Sequence, residues 1–279
     1  MRRRSTLTRW LFSPMSSSTT QIRTAKPGKA RGLPLLIGAA SLACGVLLWW
    51  LLAASGGLPE YILPGPGQVA SRAVDLWQSG MLSIHVQETL AAVLQGVLIG
   101  SIVGVVLAVL FYRVRWIERL LMPLIVVMQV TPKISIAPLI ILWLGLGIGS
   151  KIALVILVTF YPVMINMVGK LRGMPTPLND LSRILNIRGV RRAWQFELPY
   201  CLPAIAAGLR VGVLQAVTAA VIGEFIGATA GLGYLESQAQ NNDDIEIVLI
   251  AIILLSLMGW ALYALVGLME RKISSRFGG

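Results

Sequence analysis

The sequence predicts an all-α protein with five to six helices that cross a membrane. Hydrophobic residues make up 56% of the 279 residues and charged residues only 13%, whereas a soluble domain keeps about a quarter of its residues charged. Apolar runs of about 20 residues, the length that spans a bilayer core, recur along the chain. Basic residues gather between alternate runs. These observations favour a polytopic membrane protein over a soluble core.

Six apolar segments account for the predicted spans. The third is interrupted at Thr131, Pro132 and Lys133, and it counts either as one broken helix or as two pieces. The number of spans is therefore left at five or six. In chain order the segments are Leu35–Ala54, Leu90–Tyr112, Ile117–Val130 with its continuation after the break, Ile152–Val168, Ala204–Ala228 and Ile245–Met269.

The distribution of lysine and arginine predicts the orientation of the chain. Twenty of the 24 basic residues fall in four places that share one side if the spans alternate. Eight precede residue 33, three lie in 113–119, six in 170–192 and three after residue 270. Since short cytoplasmic loops carry such an excess, both termini are expected in the cytoplasm. We attribute the net charge of +12 to this excess of basic residues on the cytoplasmic side, and no nucleic-acid partner is expected.

This orientation divides the chain into two predicted parts. Residues 1–33 are polar and basic and are expected to form a disordered cytoplasmic arm. Residues 34–279 are expected to form the transmembrane domain. Within that domain the loops 56–85 and 229–244 are expected on the periplasmic side of a bacterial inner membrane.

Several classes of chemistry lack the residues that they require. The nucleotide-binding pattern G-x-x-x-x-G-K-[ST] does not occur, and the twelve acidic residues are scattered. The one histidine, His85, is expected at the outer interface before the second span, without a nucleophile to assist. Cys44 and Cys201 both lie in apolar stretches, where neither a disulfide nor a metal site is expected. No cofactor and no catalytic residue are therefore predicted.

A short, basic, amphipathic segment lies between the fourth and fifth spans. Pro175 and Pro177 end the preceding span, and Thr176 or Asn179 is expected to cap a new helix with Asp180 in its first turn. Two interpretations remain open: a helix whose arginines meet anionic lipid, or a helix that docks into a groove of a cytoplasmic partner. The apolar side of this helix is predicted to comprise Leu181, Ile184, Leu185 and Val190.

Four ordered blocks resemble the permease subunits of bacterial ABC importers, in particular those for sulfonates, taurine, nitrate and pyrimidine-type thiamine precursors. The resemblance covers about residues 60–272. The blocks are "ILPGPGQV" (62–69), "TPKISIAPLIILWLGLGIGSKI" (131–152), "NIRGVRRAWQFELPYCLPAI" (186–205) and "GEFIGATAGLGYL" (223–235).

The third block resembles the cytoplasmic EAA loop of that family, which reads Glu-Ala-Ala, three residues, Gly, and later Leu-Pro. Counting back from Leu198-Pro199 places the acidic position on Asp180 and the glycine on Asn186. Asparagine tolerates the left-handed backbone for which the family uses glycine, and Gly189 is an alternative turn. The resemblance thus implies an ATPase-coupling loop at about 175–198. Its expected members are Asp180, Leu181, Ser182, Leu185, Asn186, Ile187, Gly189, Leu198 and Pro199.

The resemblance implies a fold like that of type I ABC importer permeases and a role as a non-enzymatic permease subunit. Such a subunit forms the path for a small polar solute of the sulfonate, taurine, nitrate or pyrimidine-precursor class. It works as a homodimer with two ATPase subunits and a periplasmic or lipid-anchored binding protein. The alternative is a stand-alone secondary transporter or channel, a class that usually shows repeats or intramembrane charges for ion coupling.

Five residues are candidates for bordering the translocation path. Four of them, Gln129, Thr131, Pro132 and Lys133, surround the helix break, and broken helices at membrane depth are tolerated where they line a cavity. The fifth is Glu224, a carboxylate near the end of a span, which faces either protein or water or is capped by nearby backbone.

Glycines at a spacing of four mark the second span. Gly96, Gly100 and Gly104 are expected to allow close helix packing. The spacing leaves open whether the partner helix belongs to the same chain or to a second copy.

Overall fold

The computed structural model describes residues 33–57 and 59–277, and this part of the chain is helical without β-strands. The expected all-α class is therefore confirmed. The predicted basic arm lies outside the described residues except for Leu33. The chain divides into two compact units before Trp49. Of the described residues, the first unit contains only the beginning of α1. The second unit, Trp49–Gly279, contains the other helices.

The described residues form long helices joined by short loops. A five-residue π turn, Ala193–Glu197, connects the eighth helix to the ninth. The helices are α1 (Leu33–Ala54), α2 (Pro66–Gln78), α3 (Met81–Arg113), α4 (Arg115–Val130), α5 (Lys133–Leu144), α6 (Ile148–Arg172), α7 (Thr176–Ile184), α8 (Gly189–Arg192), α9 (Leu198–Gly227), α10 (Leu232–Asn241) and α11 (Ile245–Phe277).

Four helical stretches in the described residues are long and apolar enough to cross a membrane: α3, α6, α11 and the continuous run Gly189–Gly227. Helices α4 and α5 meet at an angle of 105° and count as a fifth span when taken together. In α1, which comprises the 22 residues Leu33–Ala54, the stretch Ala40–Ala54 is also apolar. The expected multi-pass architecture is confirmed.

Two spans begin earlier than their apolar runs indicate. Helix α3 begins at Met81 rather than Leu90, and α9 begins at Leu198 rather than Ala204. In the second case Pro199 does not end the helix, because it lies in the first turn of α9, and the wider π turn before it accommodates a residue that lacks an N–H.

The glycine ridge of α3 packs against α6 of the same chain. A Cβ atom added at Gly96 would lie 2.5 Å from Val155 Cβ, and one at Gly104 would lie 2.6 Å from the Phe160 carbonyl oxygen. Such distances are far below van der Waals contact. Within this chain, therefore, the ridge serves close packing of α3 on α6.

Helix α9 packs against another face of α6 in the same manner. A Cβ atom at Gly208 would lie 2.5 Å from the Pro162 carbonyl oxygen, and one at Gly212 would lie 3.0 Å from Thr159 Cγ2. Helix α6 therefore lies between α3 and α9, with backbones in near contact on both faces. This three-helix core fixes the positions of everything attached to its two ends.

The two ends of this core are distinguished by the helices that begin and finish there. At one end, called the basic end, α3 finishes at Arg113, α6 finishes at Arg172 and α9 begins. At the opposite end, called the far end, α3 and α6 begin, α9 finishes, and α10 follows. Two of the sites described below lie at these ends.

Candidate functional site

Helix α7 opens the segment at the basic end. It begins at Thr176 after Pro175, and no side chain caps its first turn. The expectation that Asp180 starts the helix is therefore wrong: Asp180 lies in the second turn, where its carboxylate is 3.9 Å from the Arg183 guanidinium. The helix begins earlier because Pro177, which has no N–H to lose, fits the first turn.

A left-handed turn ends α7, as the sequence predicts. Asn186 has φ 51°, its N–H donates to the Arg183 carbonyl (2.9 Å), and the Ile187 N–H donates to the Ser182 carbonyl (3.0 Å). This pair of bonds is a Schellman motif with asparagine in the position that glycine usually occupies. Gly189, the alternative turn residue, is also left-handed, with φ 61°.

A buried carboxylate anchors the segment to the end of α3. Glu197 is buried and accepts two hydrogen bonds from Arg113, at 3.0 and 3.1 Å. The guanidinium of Arg192 lies 3.2 Å from the same carboxylate and donates to the Asn179 side chain (2.6 Å). Arg113 also donates to the Gly189 carbonyl. Two arginines of the basic end are thus committed to holding the segment in place.

The apolar side of α7 faces outward. Leu181, Ile184 and Leu185 are 44%, 80% and 54% exposed, whereas Ser182, a small position of the expected loop pattern, is buried. Of the other expected loop residues, Ile187, Leu198 and Pro199 are half-buried and Asn186 is exposed. The segment therefore presents an unpartnered apolar surface, which we call the α7 face and define by Leu181, Ile184 and Leu185.

The predicted helix break is capped by its own side chains. Lys133 donates to the carbonyls of Gln129 and Thr131, the last residues before Pro132. The Thr131 hydroxyl donates to the Val127 carbonyl (2.8 Å). These bonds satisfy carbonyls that the end of α4 leaves without helical partners.

The Gln129 side chain secures the break to the core. Its amide donates to the Leu157 carbonyl of α6 (3.0 Å). Gln129, Thr131 and Lys133 remain half-buried, and Pro132 is exposed. Polar side chains thus hold an irregular stretch of backbone at membrane depth.

At the far end Glu224 is buried within the chain rather than exposed toward a path. It accepts hydrogen bonds from the Thr89 hydroxyl (2.9 and 3.0 Å) and from the Gly233 N–H (2.8 Å). Its carboxylate lies 3.7 Å from Lys151 Nζ. The alternative reading, a carboxylate capped by nearby backbone, therefore describes Glu224 better than the expected border of a path.

The loop between α9 and α10 is held by the same group of side chains. Lys151, also buried, donates to the Ala230 carbonyl (2.7 Å). Thr89 accepts from the Leu232 N–H (2.8 Å), and His85 Nδ1 accepts from the Gly231 N–H (3.1 Å). We call His85, Thr89, Lys151 and Glu224 the far-end cluster.

Gly231 fits this cluster because it has no side chain. Its φ of +131° is rarely adopted by other residues, and an added Cβ would lie 2.2 Å from the Glu224 carboxylate. The backbone can therefore approach the carboxylate closely enough for the following N–H groups to bond it. Four consecutive residues, 230–233, each contribute a backbone group to the far-end cluster.

Sequence reasoning did not find the far-end cluster. The sequence predicts His85 only at the outer interface without a nucleophile to assist, and it does not single out Lys151 as a candidate site residue. One signal was present: His85 and Thr89 are four residues apart, on one face of a helix, close to an otherwise apolar span. Among the described residues, no group of three or more His, Cys, Asp or Glu side chains is placed to hold a metal ion.

Similarities to known proteins agree with this architecture. Residues 96–275 match the family described as the binding-protein-dependent transport system inner membrane component. The chain is 36% identical over 248 residues to the riboflavin transport system permease protein of Chloroflexus aurantiacus, covering 88% of this chain and 89% of that one. It is 33% identical over 214 residues to the formylaminopyrimidine transport permease protein of Halalkalibacterium halodurans (77% and 85%).

The fold is similar to that of a solved importer. The structure matches the inward-facing MetNI methionine ABC transporter with a TM-score of 0.53 and 21% identity, over 68% of this chain and 94% of that chain. A likeness at this identity concerns the fold alone. Because the family match covers more than half of the chain, the chain belongs to the binding-protein-dependent transport inner membrane family and is an ABC importer permease.

Proposed function

We propose that two copies of this chain form the membrane path of a bacterial importer that a separate cytoplasmic ATPase drives. Two ATPase subunits bind the basic end, one for each copy. A periplasmic or lipid-anchored binding protein delivers the solute at the far end. Membership of the family supports partners of these two kinds, and the positive-inside distribution supports cytoplasmic termini.

The observation that carries the proposal is the α7 face. Three apolar side chains of one short helix are open to solvent at the end where basic residues predict the cytoplasm. An amphipathic helix of this kind docks by laying its apolar side into a groove of a partner. Burying each such side chain contributes roughly 1.5–3 kcal/mol, which offsets part of the free-energy cost of association.

The segment is built to transmit force as well as to bind. Arg113 and Glu197 fasten it to α3, and Arg192 ties α8 to α7 through Asn179, so it does not swing freely. The Schellman turn at Asn186 fixes the direction of α7 relative to the chain that follows. A movement of the bound ATPase is therefore passed to α9, whose helix continues directly from the segment.

The solute path is proposed to run beside the helix break. Gln129, Thr131, Pro132 and Lys133 lie where α4 and α5 turn by 105°, and irregular backbone in a membrane protein is tolerated beside a cavity. Glu224 acts differently in this proposal: it holds the loop after α9 and does not meet the solute.

The proposed solute is a small organic molecule. The relatives named above concern riboflavin and formylaminopyrimidine, and an Escherichia coli relative, 33% identical over 219 residues, is named for aliphatic sulfonates. Sulfonate, taurine, nitrate and pyrimidine-precursor classes follow from the sequence blocks. The similarity to two nitrogen-heterocycle permeases supports testing those solutes first.

The test replaces Leu185 with Asp, which removes an apolar anchor and places a charge in the partner's groove. We expect the variant to insert in the membrane, because no span is altered, but to lose the ATPase subunit or to retain it without uptake. A pull-down of the ATPase subunit and an uptake assay in proteoliposomes measure both properties.

Two control variants sharpen this experiment. Leu185→Met keeps an apolar side chain of similar volume and should retain the ATPase subunit. Gln195→Asp adds the same charge at an exposed position of the segment outside the α7 face and should also retain it. Retention and uptake at the level of the unmodified protein in Leu185→Asp would contradict the proposed docking.

One observation favours the alternative of a stand-alone secondary transporter. Lys151 and Glu224 form a buried ion pair within helices that span the membrane, and intramembrane charges often couple transport to ions. The same proteoliposomes decide between the two. Uptake driven by an ion gradient, in the absence of the ATPase subunit, would favour the secondary transporter.

A further inference from the structure

A groove of about 540 Å³ lies between α9 and α11. Its walls are the stretches 214–222 of α9 and 252–263 of α11. At 1.5 Å per residue, Thr218 is about 14 Å from the far end of α9, and Ser256 is about 16 Å from the far end of α11. Half of a hydrocarbon core is about 15 Å thick. The groove therefore lies near the middle of the membrane.

Polar side chains open into the groove at this depth. Thr218 and Ser256 line it and are exposed. Gln215, which precedes Thr218 by three residues on the same helix face, is also exposed. An amide or hydroxyl that faces hydrocarbon loses its hydrogen bonds to water, at a large cost in free energy. We therefore expect this face of α9 to meet water or a polar solute rather than acyl chains.

Two aromatic rings form part of the α11 wall. Trp260 and Tyr263 both line the groove, and a spacing of three places them on one helix face. Trp260 is 68% exposed although it lies near the middle of α11, away from the membrane–water interfaces at which tryptophan is enriched. An open ring in this place is available to stack on a flat solute.

An ion pair beside the groove holds the Tyr263 ring. The Arg210 guanidinium lies 4.2 Å from the centroid of that ring and 3.2 Å from the Glu270 carboxylate. The charge of Arg210 is thus balanced within the chain. Among the described residues that line the groove, none is charged. An anionic solute would find no free cation there, whereas a neutral solute needs none.

The groove adjoins the proposed solute path. Val217 lines the groove and belongs to the same buried cluster as Ala137 of α5, the helix that begins at the break. The volume falls in the range of small-molecule sites, about 300–1,000 Å³. Such sites combine mostly apolar walls with a few polar groups that orient the ligand, as Thr218 and Ser256 do here.

We propose that this groove binds the solute on its path and that the solute is a neutral, planar nitrogen heterocycle. Trp260 and Tyr263 stack on its ring. The Ser256 hydroxyl donates to the Ile252 carbonyl (2.8 Å) and so accepts from the solute, whereas the Thr218 hydroxyl can donate to a ring nitrogen. The inference rests on the proposed function, and it narrows the solute classes named there to the pyrimidine type.

The first experiment measures whether water fills the groove. Thr218→Cys and Ser256→Cys are introduced singly into the full-length protein lacking Cys44 and Cys201, in phosphatidylcholine nanodiscs. A charged methanethiosulfonate reacts with the thiolate, which does not form in lipid. Both cysteines should therefore react at least about tenfold faster than Ile102→Cys, which replaces an exposed residue of α3.

The second experiment measures protection of Thr218→Cys by solutes. Cytosine and riboflavin serve as neutral heterocycles of two sizes, and ethanesulfonate serves as the anion. At least one heterocycle should slow the labelling in a concentration-dependent manner, and ethanesulfonate should not. A pull-down of the ATPase subunit is made in parallel for each variant.

Variants of Trp260 test the stacking. Trp260→Ala should raise the heterocycle concentration that gives half-protection about tenfold, and Trp260→Phe, which keeps an aromatic ring, should raise it less. Leu257→Ala alters an exposed residue of the same helix outside the groove and should leave half-protection unchanged.

Three results would overturn the inference. Labelling of Thr218→Cys and Ser256→Cys as slow as that of Ile102→Cys would mean that acyl chains cover the groove. A disulfide between two copies at Thr218→Cys would mean that a second copy fills it. Fast labelling with protection by ethanesulfonate, or by none of the three solutes, would leave a water-filled path without a heterocycle site. Because labelling and protection require no ATPase, failure of the docking at α7 would leave them unchanged.

Discussion

At the scale of single residues, Lys151 and Glu224 form a buried ion pair. Removing both charges from water carries a penalty of several kcal/mol per ion, and attraction at 3.7 Å offsets it only with further hydrogen bonds. Those bonds are present, from Thr89 and Gly233 to the carboxylate and from Lys151 to the Ala230 carbonyl. Charge and hydrogen bonding together thus hold the loop after α9.

Glu224→Gln should destabilise the protein strongly, because it leaves the buried Lys151 ammonium with only the partly solvent-exposed Glu88 carboxylate as a counter-charge. Breaking one side of a buried pair costs about 3–5 kcal/mol. Thermal unfolding of the purified protein in detergent measures this loss. The double variant Lys151→Met with Glu224→Gln removes both charges and should recover much of it.

Glu88 offers the matched control for this prediction. Its carboxylate is also within 4 Å of Lys151, at 3.8 Å, but its side chain is 43% exposed. Solvent screens such a pair, which contributes about 1 kcal/mol or less. If Glu88→Gln lowers the unfolding temperature as much as Glu224→Gln does, burial is not what makes the Glu224 pair important.

At the scale of elements, the break between α4 and α5 combines a structural role with a proposed transport role. The Lys133 ammonium bonds the carbonyls of Gln129 and Thr131, as a cation at the C-terminal end of a helix does favourably. The same ammonium lies at the bend where the solute path is proposed. One side chain therefore either caps the helix, meets the solute, or does both.

Lys133→Met separates these roles, because methionine keeps most of the apolar stem and removes the charge. If Lys133 borders the path, the variant should lower uptake severalfold while ATPase retention stays unchanged. Thr131→Val, which removes a hydroxyl bonded only to Val127, is the control for loss of a local hydrogen bond. A lower unfolding temperature with normal uptake in Lys133→Met would restrict Lys133 to capping.

Whether a feature could be predicted from the sequence depends on how local its sequence signal is. The turn at Asn186 was predictable because tolerance of positive φ belongs to the residue itself, and the spans were predictable because apolar runs report lipid directly. The pairing of Lys151 with Glu224 was not, since 73 positions separate them and only the packing of α6 on α9 brings them together. The apolar run predicts a start of α9 at Ala204, whereas the helix begins at Leu198, because hydropathy reports contact with lipid and not the point at which helical hydrogen bonding begins.

At the scale of the whole molecule, charge separates the two ends of the bundle. Arginines that are not neutralised within the segment, such as Arg188 and Arg191, collect at the basic end. At the far end the loop 229–244 carries no lysine or arginine but has Glu236, Asp243 and Asp244. By the positive-inside rule, this separation predicts that the basic end lies on the cytoplasmic side.

Single cysteines test this orientation in a background that lacks Cys44 and Cys201. Asn242→Cys, at an exposed position after α10, should react with a membrane-impermeant maleimide added to intact spheroplasts. Ser17→Cys, in the predicted cytoplasmic arm, should react only after the membrane is opened. Labelling of Ser17→Cys from outside would reverse the proposed topology.

The helical run Gly189–Gly227 is unbroken and connects the basic end to the far end, so it can act as a lever. Thirty-nine residues extend for about 58 Å, and a tilt of ~10° about the midpoint would displace each tip by ~5 Å. Hydrogen bonds of 2.7–3.1 Å in the far-end cluster cannot stretch that far. Rocking of the lever must therefore carry the 230–233 loop and its partners along together, or release them all at once. The far-end cluster thus couples the position of α9 to α3 and α6, the helices that carry His85, Thr89 and Lys151.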